Sequence, residues 1–575
     1  MTNKRYVGIL SFLVCVLIGF ICITFTSKNS FLFAFQDSRD IQIFLTTARG
    51  ILDGDVLYRD IFEVKGPYLY VIYVLGLMIG RGTLLGVYFI EVLLFSVYLY
   101  LSYKIAILYV KNVPLCFLIT AITGFLSTTT LAMDGGGQCE ELLLPVLSVI
   151  VYVTLKYFKG IYPKRIPVSD VLLVSICFTI IFWMKYTMVG LVLGLILYLI
   201  YIQIKDKTVQ NIPYYAGIFL LGVILTTLPI IIYFTYHNAW DSMWNTYFYK
   251  LIFDYKPDTP SNDLGRKPYI IFQEYISVSC FTAYAFIYSL IFTFRNNKEK
   301  RHLYGSICTM MLLQAIVMSL SRNWVYTSEC MYAFNTLGLT IFILSMAEAI
   351  GFVRKKAPAI EKVLDSCMGN KDNMLVCIMG IIGLLLLINR VVYILPILFL
   401  VIFGMLFLYY RNNREKVDQM IKNWKVEYQE KRKTINVLVC IFGVALLAIY
   451  TKSFSKTSHA IGIPLEQYPQ YKIAQYILDS DIENPILINY DTTDAGIYGF
   501  TNTKPPTKWV GDYNANFPEV EAMYEEYIGG QKADFVIAES AELELDGYQL
   551  VYSPGSTNFV HEGRILELFL YAKKD

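Results

Sequence analysis

The stretch Asp40–Tyr70, DIQIFLTTARGILDGDVLYRDIFEVKGPYLY, decides how this chain is read. It is rich in acidic and basic residues as far as Lys65, and it follows an apolar run, Tyr6 to Phe25. That run is long enough to cross a bilayer, which takes roughly 20 apolar residues. Charge held against a membrane is costly without partners or a task. Carboxylates and a lysine there point to chemistry on a lipid-borne phosphate, and the loop becomes the candidate site.

The rest of the chain agrees with a membrane setting. Of 575 residues 56% are hydrophobic and only 17% charged, the composition of a polytopic membrane protein. A net charge of +3 carries no bulk basicity, so no nucleic-acid partner is expected. The eleven cysteines lie mostly in apolar runs without a CxxC pair, and none occurs from Thr451 to Asp575. A disulfide or zinc framework is therefore not expected. His237, His302, His459 and His561 are far apart and gather no metal by spacing.

Counting apolar runs of membrane length gives about thirteen transmembrane helices. After the first they fall near Leu84–Tyr109, Pro114–Met133, Leu142–Phe158, Val168–Met184, Met188–Ile204, Pro213–Tyr236, Tyr269–Phe294, Leu303–Leu320, Met331–Phe352, Met374–Asn389, Val391–Tyr410 and Ile435–Tyr450. The N-terminal run is too long for a signal-peptide core and has no small-residue cleavage site after it, so it reads as an uncleaved first helix.

Gly66–Gly80 is apolar but short, and reads as a re-entrant or interfacial helix. With it left out of the spans, the basic clusters Lys104 with Lys111, Lys156 to Arg165, Lys205 with Lys207, Arg295 to Arg301, Arg354 to Lys356 and Arg411 to Lys433 share the side of Lys4 and Arg5. Counting it as a span would expel two of those clusters, against the positive-inside rule. The N-terminus is then cytoplasmic. Loops Ser27–Gly66, Asp134–Glu141, Lys185–Thr187, His237–Pro268 and Ser321–Cys330, and everything after Lys452, lie outside a cytoplasmic (cell) membrane. The charged connection Arg411–Lys433 reads as a solvated or headgroup-facing helix.

From Pro464 the composition turns polar, with short β-like runs ILINY, DFVIAES, YQLVYS and LELFLYA and helical stretches around Gln470–Leu478 and Glu519–Ile528. This predicts a small C-terminal α/β domain. The expected organisation is a membrane domain over 1–452, with its first external loop at 27–66, and a soluble extracytoplasmic domain over 453–575.

The run Asp40, Phe44, Ala48-Arg49, Leu52-Asp53-Gly54, Tyr58-Arg59-Asp60 and Lys65-Gly66-Pro67, followed by an apolar half-helix, resembles the first external loop of GT-C glycosyltransferases. Protein O-mannosyltransferases and lipid A aminoarabinose transferases are the nearest comparisons. The resemblance implies a GT-C-like bundle and transfer of a hexosyl or pentosyl group from a polyprenyl-phosphate-linked donor. It implies that Asp40 is catalytic, with Asp37 as its rival, and that Lys65 meets the donor phosphate. It also implies a second acidic loop, here DGGGQCEE from Asp134 to Glu141.

The chemistry needs those residue types. A carboxylate within hydrogen-bond reach can take the acceptor proton. Cations aimed at the departing lipid phosphate stabilise the charge that grows there. Arg39, Arg49, Arg59, Lys185 and Arg322 are further candidates for that clamp, and Tyr58 lies in the same loop. Asp134, Glu140 or Glu141 could orient the acceptor, or join Asp37 or Asp40 in holding a divalent cation (Mg or Mn) by oxygen ligands. No cofactor is required by any residue pattern. The same residues have plainer readings: Asp40 as a helix N-cap, Lys65 as a snorkelling lysine, Asp134–Glu141 as a polar turn.

A transporter or flippase of lipid-linked saccharides is the alternative function. Such a protein places ionisable groups within its spans and often repeats its halves. Here the spans are almost free of charge and no repeat is evident. A membrane scaffold is a third reading, and it leaves the loop unexplained. The sequence is silent on the sugar, the acceptor (glycan, lipid or protein) and the oligomeric state.

Overall fold

The computed structural model describes residues 2–130, 132–133, 135–254, 279–295, 298–319, 325–348, 415–416, 419, 441–490, 492, 494–511, 513, 517–554, 560–561, 564–565 and 567–574. The expected spans Met374–Asn389 and Val391–Tyr410 and the basic clusters Arg354–Lys356 and Arg411–Lys433 lie essentially outside them, as do Asp134 and Arg322.

Among the described residues six helices are long and apolar enough to cross a membrane: Tyr6–Thr26, Leu85–Ile107, Cys139–Gly160, Val168–Met188, Val209–Tyr236 and Tyr326–Glu348. The chain is a multi-pass membrane protein. Shorter apolar helices add to them at Val113–Thr128, Gly190–Lys205, Cys280–Phe294 and Ile441–Phe454, and Lys298–Ser319 forms a 22-residue helix packed against Gly190–Lys205. These follow the expected spans in order; of the expected Tyr269–Phe294 only Cys280–Phe294 is a described helix, and the expected ends near Phe352 and Ile435 lie outside the described residues.

We label the helices that build the site α1 (Thr2–Thr26), α2 (Arg39–Leu52), α3 (Pro67–Ile79), α4 (Leu85–Ile107), α5 (Val113–Thr128), α6 (Cys139–Gly160) and α7 (Val168–Lys185). Helix α6 is buried along most of its length and sits at the centre of the bundle. The helix Ile212–Tyr236 instead exposes Leu220, Leu221, Ile224, Leu225 and Leu228. Apolar exposure on that scale is stable only against hydrocarbon.

Helix α3, inside Gly66–Gly80, does not cross the bundle. Its entrance sits at the C-terminal end of α7, where the Gly66 amide donates to Met184 O at 3.0 Å. Its middle touches the segment before α6, through Tyr73 Oη to Gly137 O at 2.7 Å. Its far end turns directly into the start of α4. All three contacts lie at the same end of the bundle, so α3 runs along one face. Gly66 is required there, since a Cβ would come within 2.1 Å of Trp183 O.

The C-terminal region carries a four-stranded sheet of β1 (Leu487–Asn489), β2 (Phe535–Ala538), β3 (Tyr548–Tyr552) and β4 (Phe569–Lys573) in the order β1-β2-β4-β3. β1 pairs with β2 in parallel, and the other neighbours are antiparallel. The four strands fall on the four β-like runs. Helices Pro469–Leu478 and Pro518–Tyr524 stand where helical stretches were expected, and the turn-rich segment between adds a short helix, Gly496–Thr501.

Helix α2 lies between the bundle and this domain. Ile43 and Phe62 share one buried apolar cluster with Leu487, Trp509, Tyr513 and Phe517. Phe35 packs edge-on against Tyr468 at 5.2 Å and beside Phe500 at 4.9 Å.

Candidate functional site

Asp40 is the second residue of α2, and Ser38 is the N-cap. The capping role proposed for Asp40 thus falls to a neighbour's position, while the first-turn carboxylate still gains from the helix dipole. It is half-buried, and Tyr326 Oη donates to its Oδ2 at 3.4 Å. Asp37 lies on the other side of the cap. It is buried and ion-paired with Lys28.

The segment Phe62–Gly66 runs beside Asp40 as a short strap. Tyr58 Oη donates to Lys65 O at 2.6 Å, and the buried Tyr58 ring stacks between Phe234 at 5.8 Å and Tyr247 at 6.1 Å. Tyr58 thereby supports the backbone of Lys65. The Lys65 ammonium lies 5.8 Å from the centre of the Phe44 ring, one helical turn beyond Asp40. Glu63, two residues earlier, is 1% exposed, within electrostatic reach of both Lys65 and Asp40. Burial pushes its carboxyl above the usual glutamate range, Lys65 pulls it back, and Asp40 adds to the upward push.

The start of α6 faces this strap. Glu140 is fully buried and forms an ion pair with Lys185 at the end of α7. Lys185 also lies 5.4 Å from the centre of the Tyr326 ring. A chain of contacts therefore runs from Glu140 through Lys185 and Tyr326 to Asp40. Cys139, between them, is within electrostatic reach of Glu140, Lys185, Lys65 and Glu63.

Glu141 faces elsewhere, because adjacent helical residues point about 100° apart. It accepts from the Gly137 amide at 2.8 Å, beside Glu91, which holds Ser27 at 3.0 Å and Asn29 at 2.9 Å. Gly135, Gly136 and Gly137 all have φ near +80°, a region open mainly to glycine, and this loop is built on them. Gln36 and the Lys28 amide bond to Gly135 O, joining the acidic loop to the first loop. Glu141 thus organises the loop.

Arg39 and Arg49 face the tail domain. Arg39 pairs with Glu539, and the Arg49 guanidinium packs against Gly499, where a Cβ would come within 2.4 Å of Nη1. Arg59 pairs with Asp60 and donates to His237 O at 3.1 Å. Asp134 and Arg322 lie outside the described residues.

The structure brings together Asp40, Lys65, Glu140 and Lys185 from the sequence candidates, with Tyr58 as a support. It adds Glu63 and Tyr326. Glu63 sits inside the quoted loop, where its distance of two from Lys65 was the available signal; Tyr326 is one of 46 tyrosines and carried none. Among the described residues no three His, Cys, Asp or Glu side chains converge in a metal-binding group. Asp37, Asp40, Glu140 and Glu141 have each turned to a different partner.

No protein-family model and no curated protein sequence matches the chain. Solved structures do match. The apo structure of ArnT from Cupriavidus metallidurans superposes with a TM-score of 0.54 at 11% identity, covering 100% of this chain and 98% of that one. The structure of ArnT from the same organism bound to undecaprenyl phosphate gives 0.56 at 11% identity, covering 98% and 97%. Along its whole length the chain has an ArnT-like fold, a bundle of membrane helices with a small sheet-bearing domain on the face that carries Asp40.

Proposed function

We propose that this protein is an integral-membrane glycosyltransferase that moves a sugar from a polyprenyl-phosphate-linked donor to an acceptor at the extracytoplasmic face of the cytoplasmic membrane. The observation that carries the reading is the clustering around one half-buried carboxylate: Asp40 accepts from Tyr326, whose ring lies beside Lys185, and Lys65 lies beside the Phe44 ring one turn on, in an ArnT-like fold. A related fold holding undecaprenyl phosphate supports a lipid-phosphate donor.

In this reading Asp40 takes the proton from the acceptor hydroxyl as that oxygen bonds to the anomeric carbon. The bond from that carbon to the phosphate oxygen breaks, and polyprenyl phosphate leaves with its electron pair. Lys65 and Lys185 face the phosphate and hold the developing charge, in a site where water is scarce and each cation counts for more than in solution. Glu140 aims Lys185 through their ion pair. Should Mg or Mn bind, Asp134, Glu140 or Glu141 together with Asp37 or Asp40 would be the oxygen ligands to test.

The test is sugar transfer from pentosyl and hexosyl lipid-phosphate donors by purified chains carrying Asp40→Asn or Asp37→Asn. Asp40→Asn is expected to lose transfer by about 10²- to 10⁴-fold. Full activity in that variant would remove Asp40 from the chemistry. A reporter fused after Gly80 is expected to report an extracytoplasmic position. A cytoplasmic signal would overturn the sidedness.

A further inference from the structure

Phe62 belongs to the first loop but is buried in the tail domain. It is 0% exposed, stacked at 4.0 Å on Trp509 and flanked edge-on by Tyr513 at 5.1 Å and Phe517 at 5.3 Å. Its backbone is also taken by the tail. Its amide donates to Lys508 O at 2.8 Å, and its carbonyl accepts from Tyr513 Oη at 2.9 Å. Four residues on, the Gly66 amide is held by Met184 O at 3.0 Å, at the end of α7.

We infer that Phe62 is a positioning residue: it lets the tail domain pull the strap Phe62–Gly66 taut, and so places Lys65 for the lipid phosphate. The inference rests on the donor reading above. Four chain steps span at most about 14 Å, so a strap tied at both ends has little slack. An aromatic side chain seated among three others resists withdrawal by several contacts at once. Untying that end removes one of the two ends that fix the backbone on either side of Lys65. A displacement of about 1 Å in a charged group can cost on the order of 100-fold in a preorganised site. The tail domain, in this view, is part of the site through Phe62.

The experiment uses the full chain in detergent and begins without ligand. Amide hydrogen exchange is followed across Glu63–Gly66 and across β2 and β4 for wild type, Phe62→Leu and Phe35→Leu. Phe62→Leu keeps apolar volume in the pocket, and Phe35→Leu weakens a different loop-to-tail contact. The expected result is faster exchange in Glu63–Gly66 for Phe62→Leu alone, with the sheet still protected. Undecaprenyl phosphate binding is then measured. Phe62→Leu is expected to weaken it about 10-fold or more, Phe62→Tyr to restore most of it, and Phe62→Leu/Lys65→Ala to lose no more than Lys65→Ala. Unchanged strap exchange, equal effects of Phe35→Leu, or additive losses with Lys65→Ala would overturn the positioning role. Failure of the wild-type chain to bind undecaprenyl phosphate would overturn the donor reading itself, an outcome the ligand-free exchange separates from failure of the anchor.

Discussion

At one end of the first loop Asp40, Glu63 and Lys65 face the helix ends of the bundle, while at the other Arg49, Asp53 and Asp55 face the tail domain. Both ends are dense in charge, and in the sequence both could belong to a phosphate clamp. The far end spends its charges on docking: Lys504 of the tail reaches Asp55 at 2.9 Å and Asp53 at 3.3 Å, all of them substantially exposed. At the near end Glu63 is 1% exposed, and there a single charge is felt strongly. The difference teaches that the partner each charge meets, rather than charge density, marks the chemical end.

The comparison breaks most visibly at Asp40. Asp40→Asn is expected to abolish most transfer, as given above, while Arg49→Ala should leave the rate within about threefold, since its guanidinium packs on Gly499 of the tail domain and not on Asp40. Equal losses in the two variants would erase the distinction between the ends.

Glu140→Ala comes next. It strands the Lys185 ammonium beside a buried and now empty position, and removing one partner of a buried pair costs about 3–5 kcal/mol. A clear fall in melting temperature is expected, whereas Glu141→Gln should disturb the Gly135–Gly137 loop and spare Lys185. Thermal melts of the two variants, with lipid binding measured alongside, separate the roles.

Glu63 supplies a pH signature. Its folded pKa lies above the ordinary glutamate value, so its contribution to stability is full below that value and is lost as pH rises through the folded pKa. Glu63→Gln, which cannot ionise, should therefore gain stability relative to wild type as pH climbs above the ordinary glutamate pKa of about 4.3. A stability difference that does not change with pH would mean that Lys65 fully compensates the buried charge.

The smallest effect belongs to the far end. Lys504→Ala is expected to cost roughly 0.2–1 kcal/mol, and to cost less still at high salt, because exposed pairs are weak and screened. A larger, salt-independent loss would show that docking there is more than electrostatic trim.

Much of this architecture was legible in the chain. Apolar run length marked the spans, the shortness of Gly66–Gly80 marked a helix that stays on one face, and alternating β-like runs marked the sheet. Asp40, Lys65, Glu140 and Lys185 could be nominated because membrane-edge charge is costly. Sorting them was another matter. Glu140 and Glu141 are neighbours in sequence, yet one holds Lys185 and the other holds the Gly137 amide. Asp37 and Asp40 differ by three residues, yet one is paired by Lys28 and the other faces Tyr326.

The sequence by itself determined the membrane class, the order of the helices and the short list of charged residues, because hydrocarbon imposes length and polarity on any chain that crosses it. Only the tertiary structure decided which charges meet, and that Phe62 leaves its own loop to sit in the tail domain. Those outcomes depend on contacts between residues hundreds of positions apart, Tyr326 with Asp40 and Trp509 with Phe62, whose geometry no local spacing encodes.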